Sequence, residues 1–383
     1  MTHRERFRTA LAHREPDWVP FDVGGSIVTS ISAKTYEKVI AAMGLPARQI
    51  HIANEFAQTA ALDEDFLTAL DTDTRPTHLG NPTGFEMRLW EENGYRYYTD
   101  DWQITYCFPL DGSAEWYQVA KHPLADATSV KDIDIFNWPE GADPGRIEGL
   151  AEEARHLAED RQFGIVLEYN IGGIFEWPGW LRGTENFLMD LAAEPKMAQS
   201  IMEKITEFKC AFWESALKCA GKWIDVVRES DDFGSQGGLL VSTDRYRKYM
   251  KPLHKRITDT IKKYSDAAIC LHSCGAVRDL IPDFIEAGFT VLNPVQVGAA
   301  KMNPIELKKE FGKDLVFWGG AADAQTVLPR ATPAEVKEHA RRNLDALMPG
   351  GGYIFGSINV VGGDVPPENF LALAEVVREY GAY

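Results

Sequence analysis

Short apolar, β-prone runs alternate along this chain with longer stretches of helical periodicity. Eight such runs read as strands: Trp18–Val23, Phe66–Asp71, Gly164–Tyr169, Trp223–Val227, Ala267–His272, Thr290–Asn293, Leu315–Trp318 and Tyr353–Phe355. Strands that alternate with helices form parallel βαβ units. Eight units predict an α/β fold, a (β/α)8 TIM barrel, with residues 1–383 as a single domain. Residues 82–135 break the rhythm. Met87–Trp90, then Asn93-Gly94, then Tyr95–Tyr98 read as a hairpin with an Asn-Gly turn. The pattern therefore predicts a β-rich insertion between strands 2 and 3, on the face where barrel active sites lie.

The helical stretches carry their own punctuation. Thr2 with Glu5 and Thr332 with Glu335 fit capping boxes. Val336, Ala340, Leu344 and Leu347 then make one apolar stripe, stopped by Pro349 and the glycines after it. Tyr246, Met250, Leu253, Ile257 and Ile261 make a second stripe, in which Pro252 predicts a kink.

Composition changes this picture only at its edges. A net charge of −17 argues against nucleic acid or an anionic membrane as partner. No run approaches the roughly 20 apolar residues of a membrane span. The five cysteines form no regular framework, which suits a reducing compartment, and the N-terminal stretch does not read as a secretory signal. Together these predict a cytoplasmic protein.

The chemistry concentrates where the apolar runs end. His272 and Cys274 follow Ala267–Leu271 and share one strand face, half of a zinc site. The alternative is a hydrogen-bonded core histidine beside an inert thiol. The fourth run leads into Glu229-Ser230-Asp231-Asp232, where crowded carboxylates either hold a metal, keep a proton as a general acid, or cap a solvated turn. Glu168 closes the third run, at the mouth or buried and paired. Trp102, Trp177, Trp180 and Trp318 fall near the expected mouth, as pocket walls or as core, and Gln296 and Asn359 are polar candidates for substrate contact.

Taken together these stretches resemble the uroporphyrinogen decarboxylase superfamily, and within it the corrinoid-linked methyltransferases. The resemblance rests on Arg4–Phe7, Glu15–Asp22, Asp231–Gln236, Lys251-Pro252, His272–Gly275, Asn293–Gln296, Phe317–Gly320 and Val365–Asn369. It implies a (β/α)8 barrel. The decarboxylases carry arginines after the first strand and an aspartate after the second. Val23–Ser30 has no arginine and Thr74–Leu79 no carboxylate, so uroporphyrinogen is not the expected substrate. The thiol-methylating members bind zinc through His-x-Cys and a later cysteine, whereas no cysteine follows Cys274 here. Zinc would then take His272, Cys274 and a carboxylate from Glu168, Asp231 or Asp232, and a protonated acid among those three could act without it.

The resemblance thus implies a methyltransferase that demethylates a small donor such as a methyl ether. The methyl group would pass to a corrinoid (cobalamin) supplied by a partner protein. Methyl transfer from methylcorrinoid to a zinc-bound thiol, and decarboxylation of a smaller substrate, stay open. So does a homodimer.

Overall fold

The computed structural model describes residues 1–383. Its strands in chain order are β1 (Ile52–Asn54), β2 (Thr59–Ala60), β3 (Thr74–Pro76), β4 (Trp90–Glu92), β5 (Tyr95–Thr99), β6 (Thr105–Pro109), β7 (Gln118–Lys121), β8 (Gly164–Glu168), β9 (Val226–Ser230), β10 (Ala268–His272), β11 (Val291–Asn293), β12 (Val316–Trp318) and β13 (Tyr353–Ile354). Seven of them, β3 and β8 to β13, form one parallel sheet in sequential order, with helices in the crossovers. β4 to β7 form a separate antiparallel sheet between β3 and β8, where the insertion was expected. Its β4–β5 turn is Asn93-Gly94, both at positive φ, which Asn and Gly tolerate best.

The segment Pro20–Asp22 bonds to both edges of the parallel sheet. Phe355 N donates to Pro20 O and Asp22 N to Phe355 O, each at 2.8 Å, and Asp73 N donates to Phe21 O at 2.8 Å. The expected strand Trp18–Val23 is therefore a one-residue bridge, Phe21 with Phe355. Pro20 has no N–H to give a ladder, and Trp18 bridges Ala382 instead.

Two other strand expectations are corrected. Phe66–Asp71 lies in a helix, Glu64–Leu70, which buries Phe66, Leu67 and Leu70 on one face and ends at Asp71 in the left-handed region. The edge strand is instead β3, whose Arg75 is buried by pairing with Glu64 at 3.0 Å. The fourth strand starts three residues later than Trp223 and takes in Arg228 and Glu229, both buried. Each finds an opposite charge: Glu168 for Arg228, and Lys209, at 2.7 Å, for Glu229.

Strand parity sorts the core into two layers. Val166, Val226, Cys270, Val291, Val316, Trp318 and Ile354 face inward, and Phe7 of the first helix plugs their N-terminal end. Ile165, Leu167, Val227, Ile269, Leu271 and Phe317 face the helices. Gly164 makes room for the plug, since a Cβ there would meet the Phe7 ring at 2.4 Å. The inward face is apolar around Phe7 and polar toward the C-terminal ends, where Asp22, Glu168, Arg228, Ser230, His272 and Asn293 are all buried.

Both capping boxes form, and the Val336–Leu347 stripe is buried. Thr332→Ala is expected to cost about 1 kcal/mol, read as a lower urea midpoint with an unchanged m-value. The second stripe runs through one π-helical turn, Tyr246–Met250, and Pro252 sits in the first turn of the α-helix that follows, Lys251–Tyr264. No helix is long and apolar enough to cross a membrane.

Candidate active site

β10 ends on the inward face at His272, and the chain then turns at Gly275 so that the Cys274 thiol lies 3.4 Å from His272 Nε2. Gly275 has φ +86°, and a Cβ on it would meet the Gly234 carbonyl carbon at 2.3 Å. A Cβ on Gly234 would in turn meet Cys274 O at 2.6 Å. This close passage of two backbones brings the loop after β9 against the loop after β10. Cys274 N then donates to Asp232 Oδ1 at 2.7 Å, and that oxygen lies 3.8 Å from His272 Nε2.

Asp232, His272 and Cys274 thus present one carboxylate oxygen, one imidazole nitrogen and one sulfur, all within 4.8 Å of one another. His272 Nδ1 is 2.5 Å from Asn293 Oδ1. An amide oxygen accepts only, so Nδ1 carries the proton and Nε2 keeps its lone pair for a ligand. Burial lowers the His272 pKa and raises that of the Cys274 thiol well above the ordinary range. The imidazole is therefore neutral, as ligation requires. A bound cation would reverse the thiol's preference, because a coordinated thiol ionises. Asp232 leaves the site open on one side, with 34% of its side chain exposed against 4% for His272.

The three carboxylates after β9 point in three directions. Glu229 turns to the helix side, to Lys209 and Trp213. Asp231 is fully buried, accepts from Phe175 N and Glu176 N at 3.0 Å, and lies 3.4 Å from His254. It caps the helix Glu176–Arg182 from outside, while burial holds its pKa up. Only Asp232 joins the cluster. Glu168 is tied to Arg228 and to Ile27 N, at 2.6 Å from the latter.

A residue outside the sequence expectations lies beside the cluster. Glu176 accepts from Asp232 N at 3.1 Å, and its pKa is raised well above the carboxylate range, by burial first and then by Asp232 and Asp231. Its only sequence signal is its place in the first turn of a helix that follows a strand end.

Two cavities open at this end of the sheet. One of about 430 Å³ is lined by Cys274, Gln296, Asn359 and Trp116. Gln296 Oε1 accepts from Gly275 N at 2.6 Å, and Asn359 Nδ2 is 3.5 Å from the Cys274 sulfur. The other, of about 530 Å³, lies under the inserted sheet and includes Trp180 and Glu168. Trp102 and Trp177 are core, their rings 4.4 Å apart. Trp318 is buried on the inward face, where its Nε1 donates to Asp22 at 2.9 Å. None of these three lines either cavity.

The larger cavity also holds Asp100, which burial pushes up to about 7. A carboxyl whose pKa rises on folding contributes stability that is complete below about pH 4 and is lost as pH climbs through the folded value. Asp100→Asn is therefore expected to shrink the fall in Tm between about pH 5 and about pH 8, as scanning calorimetry would show.

The uroporphyrinogen decarboxylase (URO-D) family profile matches residues 117–380. A methylated-thiol–coenzyme M methyltransferase of Methanosarcina mazei is 24% identical over 270 residues, 69% of this chain and 67% of that protein. A methylcobamide:CoM methyltransferase of the same organism is 22% identical over 265 residues, 68% and 71% of the two chains. A uroporphyrinogen decarboxylase of Bacillus cereus is 25% identical over 199 residues, 52% of each. A solved structure of a methyltransferase from Methanosarcina mazei shares the fold, with a TM-score of 0.66 at 17% identity and complete coverage of both chains.

Proposed function

This chain belongs to the uroporphyrinogen decarboxylase family, and from that premise we propose that it is a corrinoid-dependent methyltransferase. Its task is to demethylate a small donor, such as a methyl ether, and to hand the methyl group to the corrinoid of a separate protein. The observation that carries this reading is the Asp232–His272–Cys274 cluster, open on one side, at the C-terminal edge of the parallel sheet. The same reading takes residues 1–383 as one (β/α)8 barrel whose eighth stave is Pro20–Asp22, with 82–135 as its insertion.

The donor set fits zinc: one nitrogen, one sulfur, one carboxylate oxygen and an open fourth position make a catalytic rather than a structural site. Zinc held there supplies a Lewis acid for the donor's heteroatom. The chain's own residues do the rest. Asn293 fixes the His272 tautomer, and Cys274 N fixes Asp232. As the carbon–heteroatom bond breaks, its electron pair stays on the heteroatom and the methyl group leaves for the corrinoid. Glu176, whose carboxyl burial pushes up, is the general acid of this reading and gives its proton to that heteroatom. Asp231 is a positioning residue that holds the Glu176 helix in place. Gln296, Asn359 and Trp116 surround the entering donor.

A second reading runs the methyl group the other way, from methylcorrinoid to a thiol. The activities of the two Methanosarcina relatives, methyl transfer to coenzyme M, favour it. One experiment separates the two. Purified protein is assayed for zinc, then mixed with cob(I)alamin and a panel of methyl ethers, amines and thioethers while the visible spectrum is recorded. Methylcobalamin formation supports demethylation; consumption of methylcobalamin by free thiols alone supports the reverse. Release of CO2 from a carboxylated substrate without any corrinoid would sink both. Glu176→Gln is expected to lower kcat by about 10²–10⁴-fold for donors with basic leaving groups, with little change in zinc content.

A further inference from the structure

The larger cavity, about 530 Å³, lies between the ends of β3 and β8 and the inserted antiparallel sheet. Its walls carry an unusual density of rings. Phe56 is the hub: its centroid is 5.4 Å from that of Tyr106 and 5.3 Å from that of Trp180, and Tyr106 stacks at 4.9 Å on Tyr98. All four line the cavity. Trp116, which lines the smaller cavity beside Cys274, packs edge-on against Phe56 at 5.8 Å, so the two cavities share an aromatic wall.

The charges around it do not balance. Arg75 is spent on Glu64, Arg146 on Asp101, His78 on Glu153, and Glu168 on Arg228. Two lining carboxylates are left with no cation within salt-bridge distance. Glu55 takes only the Tyr117 hydroxyl, at 2.9 Å, and the Gln58 amide, at 3.2 Å. Asp100 takes only Ile104 N and the Tyr106 hydroxyl, both at 2.9 Å. Arg96 feels Glu55 only at longer range and is paired with Glu91.

We propose that this cavity binds an organic cation, a quaternary alkylammonium group, with Phe56, Tyr98, Tyr106 and Trp180 around its alkyl shell and Glu55 and Asp100 balancing its charge. A ring face attracts cations through its quadrupole, and an alkylated ammonium matches it best because it needs no hydrogen-bond acceptor. Two half-buried carboxylates with no cation in salt-bridge range supply the charge such a site would otherwise lack, Glu55 directly and Asp100 as an incoming cation draws its raised pKa down. The raised Asp100 carboxyl agrees with this, since a group strained by burial gains most from an incoming positive charge. An anionic ligand would face the opposite field. The inference stands apart from the methyl-transfer reading: it rests on the rings and the uncompensated charge, and its test reads binding alone.

The test is calorimetric titration of the full chain with choline and with its neutral isostere 3,3-dimethylbutan-1-ol. Choline is expected to bind saturably and at least about tenfold more tightly than the alcohol. Glu55→Gln and Asp100→Asn are each expected to weaken choline by about tenfold without touching the alcohol, and Trp180→Leu by about fivefold. Equal affinity for choline and the alcohol in the wild-type protein overturns the proposal, whatever the variants do. So does the absence of saturable choline binding in the millimolar range.

Discussion

Cys274→Ala is expected to abolish stoichiometric zinc and to lower methyl transfer by about 10³-fold or more, with almost no change in Tm when the metal-free proteins are compared. The thiol is one of three ligand atoms within 4.8 Å, and Cys270 cannot replace it: it is fully buried two residues before His272, and its thiol is held protonated by burial. The fold does not depend on the side chain, because Cys274 joins the other loop through its backbone, to Asp232 through N and against Gly234 through O, and Ala276 N, donating to Ser235 O, adds a further bond between the loops. His272→Ala should match it in zinc loss but also cost stability, since it leaves Asn293 without its partner. Metal analysis, the cob(I)alamin spectrum and calorimetry on both variants decide the matter. Full methyl transfer by a zinc-free Cys274→Ala protein would remove the metal from the mechanism.

Arg228→Met is expected to destabilise the protein by about 3–5 kcal/mol. Arg228 is 1% exposed in the middle of β9, on the inward face, with Glu168 of the neighbouring strand as its counter-ion. Removing the guanidinium leaves a buried carboxylate with only Ile27 N to hold it. The double variant Arg228→Met/Glu168→Gln should recover part of the loss, because it deletes the orphaned charge instead of exposing it. Guanidinium unfolding of the wild type, both single variants and the double variant gives the coupling. Additive single effects would show that the pair does not act as a unit.

These two sites also mark the limits of what a linear reading delivers. β8 and β10 were legible because central parallel strands are buried on both faces and read as unbroken apolar runs. β3 was not, because Thr74-Arg75-Pro76 is polar and its arginine is buried only through Glu64 in the preceding helix. Phe66–Asp71 is helical rather than extended for a related reason: a short apolar run fits a buried strand or a buried helical turn equally well. Arg228 and Glu229 hid the true extent of β9, since charged residues enter a core strand only where distant residues neutralise them.

The local pattern by itself determined the alternating α/β architecture, the inserted hairpin sheet and the place of His272 at a strand end, because apolar periodicity is a property of neighbouring residues, whereas Cys274 lies past the end of β10 and is brought to His272 by the turn at Gly275. Only the tertiary structure decided which carboxylate completes the cluster. Asp231 and Asp232 are adjacent and chemically alike, yet one caps a helix and the other meets His272 and Cys274. Glu176 reaches the site from a different crossover altogether. Side-chain direction in a loop and the pairing of charges across distant elements are set by packing, and no spacing along the chain encodes them.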